Sequence, residues 1–374
     1  MPRPLMQQQT MYKKIFATQW KMFAAVAMLL GAFASHATAA DPSSIAKHER
    51  WVTSLVFSAD SSKLISGGGE SLQFRDGDVK IWDTKSGAEL ASLVGHPSNV
   101  WSVAVNADAS KIVSSGYDGK IIVWNVAEKK PIHTLEKRKG WCRAVAFSPD
   151  GKHIASAGED GQVTTWETES GKEVKTFKCH EAAVYSLAFS PDGSSLATAS
   201  TDKLAKIWDW NAGTEKGKLE GHTDAIWSIV YAKDGTLATA GADRKIKIWG
   251  TDLKEQATLE GHKDWITSLS FAPDNTTLAS AALDRSVKIW NVKEKKETAA
   301  ITDFVSTVWA VAISPDGKLI AAGSHKDSLR LFEAASRKEL FPHPKPVAKA
   351  PETKAPEKKP EVKKAEEKKP EEKK

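Results

Sequence analysis

Four stretches of this 374-residue chain carry a histidine, a hydroxyl residue, an aspartate and a tryptophan at matched positions. They are His96, Ser114, Asp118, Trp124; His180, Thr198, Asp202, Trp208; His222, Thr239, Asp243, Trp249; and His262, Ser280, Asp284, Trp290. His48, Ser66, Asp76 and Trp82 make a fifth set, interrupted by an insertion near Glu70–Arg75. Hydroxyl, imidazole and carboxylate are the parts of an acyl-transfer triad, in which the base takes the hydroxyl proton and the acid orients the base. A hydrolase needs that nucleophile once, whereas this set recurs in every regular unit, which argues against catalysis. Other chemistry has less support. Cys142 and Cys179 are too few for a disulfide framework, a four-cysteine zinc site or an iron–sulfur cluster. No GxGxxG, P-loop or HExxH is present. The expectation is no enzyme, no catalytic residue, no cofactor and no metal.

The elements that carry these sets repeat with a short period. Aligned on an apolar-Lys-Ile-Trp strand, the chain gives Trp82, Trp124, Trp166, Trp208, Trp249, Trp290 and Phe332, spaced 41 or 42 residues apart. Ahead of each lies an apolar strand ending at Phe57, Val105, Phe147, Phe189, Tyr231, Phe271 or Ile313. Then come a turn, Ser-Pro-Asp-Gly in three copies, and a strand of small residues such as Leu196–Ala199. Asp-Gly between alternating apolar runs marks a hairpin. Each unit therefore reads as three or four short antiparallel strands, and no helical period intervenes.

Here the sequence resembles the WD-repeat family, over about four-fifths of its length. Gly-His stands at Gly95-His96, Gly221-His222 and Gly261-His262, and Trp-Asp at Trp82-Asp83 and Trp208-Asp209. The resemblance implies an all-β fold: a single seven-bladed β-propeller over residues 41–341, four antiparallel strands per blade, around a central channel. It also gives the recurring histidine, hydroxyl, aspartate and tryptophan a structural role, a buried polar network joining loop to strands. Arg138 takes the histidine position in unit three, and Phe304 and Lys326 stand in unit seven, so those two blades are expected to lack it.

The ends read differently. Residues 1–40 hold Lys13, Lys14 and Lys21 before an apolar run from Met22 to about Ala34, then Ala37-Thr38-Ala39. That pattern is a cleavable export signal, and the run is too short for a retained span of about 20 residues. The mature protein is expected in the periplasm or outside the cell, with no stable membrane span and as a monomer. Residues 342–374 contain eleven Lys, seven Glu and seven Pro, a composition expected to stay disordered. Each end contributes a net +4 to the total of +6, leaving the middle at −2, so nucleic acid is not expected as a partner.

Partner chemistry is sought where the tryptophans do not repeat. Four residues before each apolar column end stand Thr53, Trp101, Arg143, Tyr185, Trp227, Thr267 and Trp309. Six residues before it stand Trp51, Asn99, Trp141, Ala183, Ala225, Trp265 and Thr307. Every unit thus carries one large aromatic at one of two positions of the same strand parity. By resemblance these positions ring the channel mouth, near Arg75, Tyr117 and His325, on the face that receives partners. The candidate partner-binding residues are Trp51, Trp101, Trp141, Arg143, Tyr185, Trp227, Trp265 and Trp309, since aromatics with Arg make an anchor-rich surface. The alternative is that they wedge between blades. The function expected is an exported, non-enzymatic interaction scaffold for a protein or peptide. A glycan binder using the same ring is the first alternative, and an enzyme with its site in the channel the second.

Overall fold

A computed structural model of the chain describes residues 51–69, 76–136, 140–325 and 329–341. The segment expected to be an export signal, the Lys/Glu/Pro-rich tail, His48, Arg75, Arg138 and Lys326 lie outside the described residues. The described chain forms seven antiparallel sheets in sequence order, six of four strands and one of three. Blade 1 shows the pattern: β1 (Trp51–Phe57), β2 (Lys63–Gly69), β3 (Gly77–Asp83) and β4 (Glu89–His96) pair consecutively. The first strand of each blade packs against the first strand of the next, and that of blade 7 against that of blade 1, so the ring closes.

What holds the blades together follows from residue type. The second strands are built of small residues, as in Leu196–Ser200 and Leu237–Gly241, and every residue in those two is buried. Small size lets neighbouring sheets approach closely. At Gly67 a Cβ would come within 2.8 Å of the Cγ1 atoms of Val100 and Val103 in the next blade. Seven apolar clusters result, one at each seam between blades. The repeated tryptophan, or Phe332, fills the seam with the preceding blade, as Trp124 does among Ile65, Val79 and Leu93 of blade 1. No single blade can cover both faces of its sheet, and stacking in a ring does.

Two further patterns escape a reading of the sequence. The lysine two residues before the tryptophan pairs with a glutamate on the fourth strand: Lys80 with Glu89, Lys206 with Glu215, Lys247 with Glu255, and Lys288 with Glu297. In blade 7 Arg330 takes the lysine place and pairs with Glu339 at 2.6 Å, and with Asp303 at 2.8 Å. Glu339 bridges Phe332 in the register that joins Glu89 to Trp82. Residues 338–341 thus begin the outer strand of the last blade.

The second pattern is a β-bulge near the start of every first strand. The register skips one residue there, and the skipped residues are Thr53, Trp101, Arg143, Tyr185, Trp227, Thr267 and Trp309. A bulged residue is left out of the ladder and its side chain is re-aimed.

Candidate functional site

The bulge decides where the aromatics point. All seven bulged residues line one cavity of about 140 Å³ on the ring axis. The residue after each bulge, Ser54, Ser102, Ala144, Ser186, Ser228, Ser268 or Ala310, lines it as well. Simple alternation would send these two neighbours to opposite faces, and the extra residue cancels it. The same effect corrects the expected equivalence of the two aromatic positions. The bulged column faces the channel, whereas Trp51, Trp141 and Trp265 are absent from its wall.

Those serines form a girdle. The backbone N–H of Val103 donates to Ser54 Oγ at 3.1 Å, and Val145 to Ser102 at 3.3 Å. Ile229 donates to Ser186, Leu269 to Ser228 and Val311 to Ser268, at 3.1 to 3.3 Å. Each bond ties a blade to the one after it. Ala144 and Ala310 cannot accept, so the seams 3–4 and 7–1 lack this tie. Other groups bridge there. Trp210 of blade 4 contacts His153 of blade 3 at 4.9 Å, and Trp51 of blade 1 meets His325 of blade 7 at 4.2 Å.

Above the girdle the aromatics touch in series. Trp309 and Trp101 meet at 6.3 Å, past the intervening blade 1, where the channel position holds only Thr53. Trp101 contacts Tyr117 at 5.1 Å, and Tyr117 contacts Trp141 at 4.5 Å. On the other side Tyr185, Trp227 and Trp265 follow one another at 4.5 and 5.5 Å. Arg143 joins the two series: its guanidinium carbon lies 4.3 Å from the Trp101 ring, 4.6 Å from Trp141 and 4.5 Å from Tyr185. Its Nε donates to Glu159 Oε1 at 2.9 Å. Burial alone would disfavour this cation, but Tyr185, Tyr117 and Glu159 outweigh it and hold its pKa above the ordinary arginine value. Arg143 is only 3% exposed, so it is no free cation facing a partner. Trp227, expected on the partner-receiving face, is also buried, at 8%. Trp51, Trp101, Tyr185, Trp265 and Trp309 are half-buried, and Trp141 is the most exposed of the set at 36%. Tyr117 and His325 do lie beside the ring.

The recurring His–hydroxyl–Asp sets are structural. In blade 5 the Trp249 indole N–H donates to Thr239 Oγ1 at 2.8 Å, Thr239 meets His222 Nε2 at 2.7 Å, and His222 Nδ1 meets Asp243 Oδ2 at 2.7 Å. An indole can only donate. The hydroxyl accepts from it; the carboxylate can only accept and takes Nδ1–H, so Nε2 accepts the hydroxyl proton. The same chain runs through His96, His180 and His262. Each hydroxyl thus has its proton and a lone pair engaged inside the blade and buried, where no substrate reaches it. Burial pushes the carboxyls of Asp202, Asp243 and Asp284 up, but the histidine hydrogen bonds with the backbone N–H groups outweigh it and hold all three below the usual range. In blade 3 the indole bond survives, Trp166 to Ser156 at 3.1 Å, and in blade 7 Phe304 packs on Phe332 instead. Cys142 and Cys179 are both buried. Among the described residues no group of three His, Cys, Asp or Glu could hold a metal ion.

Comparison with known proteins agrees with this geometry. The family model of the WD domain, G-beta repeat, matches residues 42–83. The models of the second β-propeller of echinoderm microtubule-associated protein and of the first β-propeller of IFT122 match residues 100–238 and 183–346. Lissencephaly-1 homolog 1 of Paramecium tetraurelia is 38% identical over 66 residues, 17% of this chain and 16% of that protein. The small ribosomal subunit protein RACK1y of Oryza sativa subsp. japonica is 36% identical over 84 residues, 22% of this chain and 25% of its own. The protein transport protein sec13 of Emericella nidulans is 26% identical over 106 residues, covering 25% and 34%. The chain therefore spans between 16% and 34% of the length of these relatives. The chain is a seven-bladed β-propeller, and along its length it is similar to WD40-repeat and related β-propellers.

Proposed function

We propose that this chain is an exported, non-enzymatic interaction scaffold whose channel mouth receives a protein partner. The observation that supports this reading is the pair of aromatic series around the mouth, joined through Arg143, with Trp309, Trp101, Tyr117, Tyr185 and Trp265 half-buried and Trp141 exposed. A half-buried aromatic offers a large rigid face at small entropy cost, the composition of interface anchors. Among the described residues lining the channel there is no His, Asp, Glu, Lys or Cys. Export rests on the sequence pattern of residues 1–40.

Capture from the envelope fraction of the source cell tests the partner reading, with Trp309→Ala and Trp141→Ala run beside the unaltered chain. A bound protein lost in both variants supports the mouth as the binding face. A partner retained by both places the interface elsewhere, and glycan retention in place of protein would favour sugar stacking on the same rings. Mass spectrometry of the native protein tests export: a chain starting at Ala40 or Asp41 is expected, and a retained Met1 or Met11 would refute it.

A further inference from the structure

Where a repeat protein departs from its own repeat, ring architecture no longer explains the residue. Blade 3 departs at two columns that meet. Its channel position holds Arg143, where the other blades hold Trp, Tyr or Thr. The residue before its turn aspartate Asp160 is Glu159, where Tyr117, Thr201, Ala242 and Leu283 stand in blades 2, 4, 5 and 6. Both Nε and Nη2 of Arg143 bond one oxygen, Glu159 Oε1, at 2.9 and 2.8 Å. Oε2 takes no part in that pair, and no other cation among the described residues forms an ion pair with Glu159. The Glu159 side chain is 37% exposed. Trp141 lies beside it, accepting the Glu159 N–H on its carbonyl at 3.2 Å, and carries the most exposed ring of the series.

Resting on the reading that the mouth receives a protein partner, we propose that Glu159 and Trp141 form a subsite for an arginine side chain of that partner. The incoming guanidinium bonds Oε2, and its flat stem and head lie against the exposed indole. A carboxylate accepting a charged donor makes a strong hydrogen bond, and a guanidinium over an indole adds cation–π attraction. A buried arginine requires a counter-ion, which accounts for a carboxylate on Arg143. It does not account for one held at the rim with an oxygen that no described donor takes, beside the most exposed tryptophan. Arg143 lowers the net attraction of the pair for a second cation, yet the partner's charge meets Glu159 first. Lys137, Arg138 and Lys139, outside the described residues, precede Trp141 in sequence. An anion drawn to them is the rival outcome.

The test uses the full chain labelled at its tryptophan nitrogens, with the Trp141 indole resonance assigned through Trp141→Phe. N-acetyl-arginine amide and N-acetyl-glutamate amide are titrated separately. The arginine probe is expected to shift the Trp141 resonance saturably. Glu159→Gln, or about 0.5 M salt, should weaken that response roughly tenfold. Saturation by the glutamate probe at lower concentration, or an equal arginine response in Glu159→Gln, overturns the proposal. Should Glu159→Gln loosen the ring through Arg143, Trp141→Ala touches neither charge: undiminished arginine binding by calorimetry in that variant has the same force. A failure of the scaffold reading looks different. There, partner capture survives Trp309→Ala and Trp141→Ala alike, whereas failure of this subsite alone loses capture in Trp309→Ala and keeps it in Glu159→Gln.

Discussion

Replacing His222 with alanine separates a structural network from a catalytic one, and its magnitude can be worked from the blade-5 geometry. The imidazole makes two bonds of 2.7 Å, to Asp243 Oδ2 and to Thr239 Oγ1. Thr239 is fully buried and keeps only the indole donor of Trp249, so its own proton loses its acceptor. Asp243 is nearly buried on its side chain but retains the N–H groups of Lys245 and Thr223, at 3.1 and 3.2 Å. One orphaned hydroxyl proton and one weakened carboxylate, at about 1–2 kcal/mol each, give about 3 kcal/mol in total. With an unfolding entropy of about 2.1 cal/mol/K per residue, a ring of roughly 290 residues has a slope near 0.6 kcal/mol/K, so the melting temperature should fall about 5 °C. Calorimetry on the purified chain measures it. His133→Ala serves as control, because His133 makes a single bond to the Glu169 carbonyl at an exposed site and should cost under about 0.5 kcal/mol. Equal shifts in the two variants would refute the network argument. An activity lost at unchanged stability would restore the triad reading.

Three other expectations can be checked with the same preparation. Trp227→Ala should cost about 3–5 kcal/mol of stability, since its ring is buried between Tyr185 and Trp265, and Trp141→Ala under about 1 kcal/mol; similar melting curves for the two would contradict the packing described. Ala310→Ser should add the missing girdle bond by accepting the Leu55 N–H, raising stability by about 0.5–1.5 kcal/mol; a lower melting temperature would mean the bond does not form. Asp202, Asp243 and Asp284 have folded-state pKa values below the free value of 3.8, so the stability they contribute is complete above about pH 4 and is lost as pH falls through the folded values. The melting temperature should therefore hold level from about pH 8 to 5 and drop in acid, and a rise on acidification would show that the sign is wrong.

The blade was legible in the sequence because its signals are local: tryptophans 41 or 42 residues apart, Asp-Gly turns and strands of small residues. The polar network was legible because four residue types recur together in several units. The column of bulged residues could be aligned but not aimed. A bulge is a fact of pairing between two strands, and alternation within one strand hides it. Trp227 and Trp309 share that column, yet one is buried and the other half-exposed, because the neighbours that cover Trp227 come from adjacent blades. The Arg143–Glu159 pair was within reach, since both residues break their columns in the same unit. It escapes the sequence analysis because that pre-turn column enters there only through Arg75, Tyr117 and His325.

The five serine bonds run in one sense around the axis and stop at two seams. They sort the blades into two braced arcs, blades 1 to 3 and blades 4 to 7. A hoop braced in this way has two natural hinges, and a load on it is taken up as a small opening of one arc against the other. One hinge lies where the chain must return to its own beginning. The other lies directly beneath Arg143, whose guanidinium grips Trp101 and Trp141 on one arc and Tyr185 on the other. A partner that pulls on the mouth in that sector works on a lever: it meets the ring where no serine of the girdle ties the two arcs together.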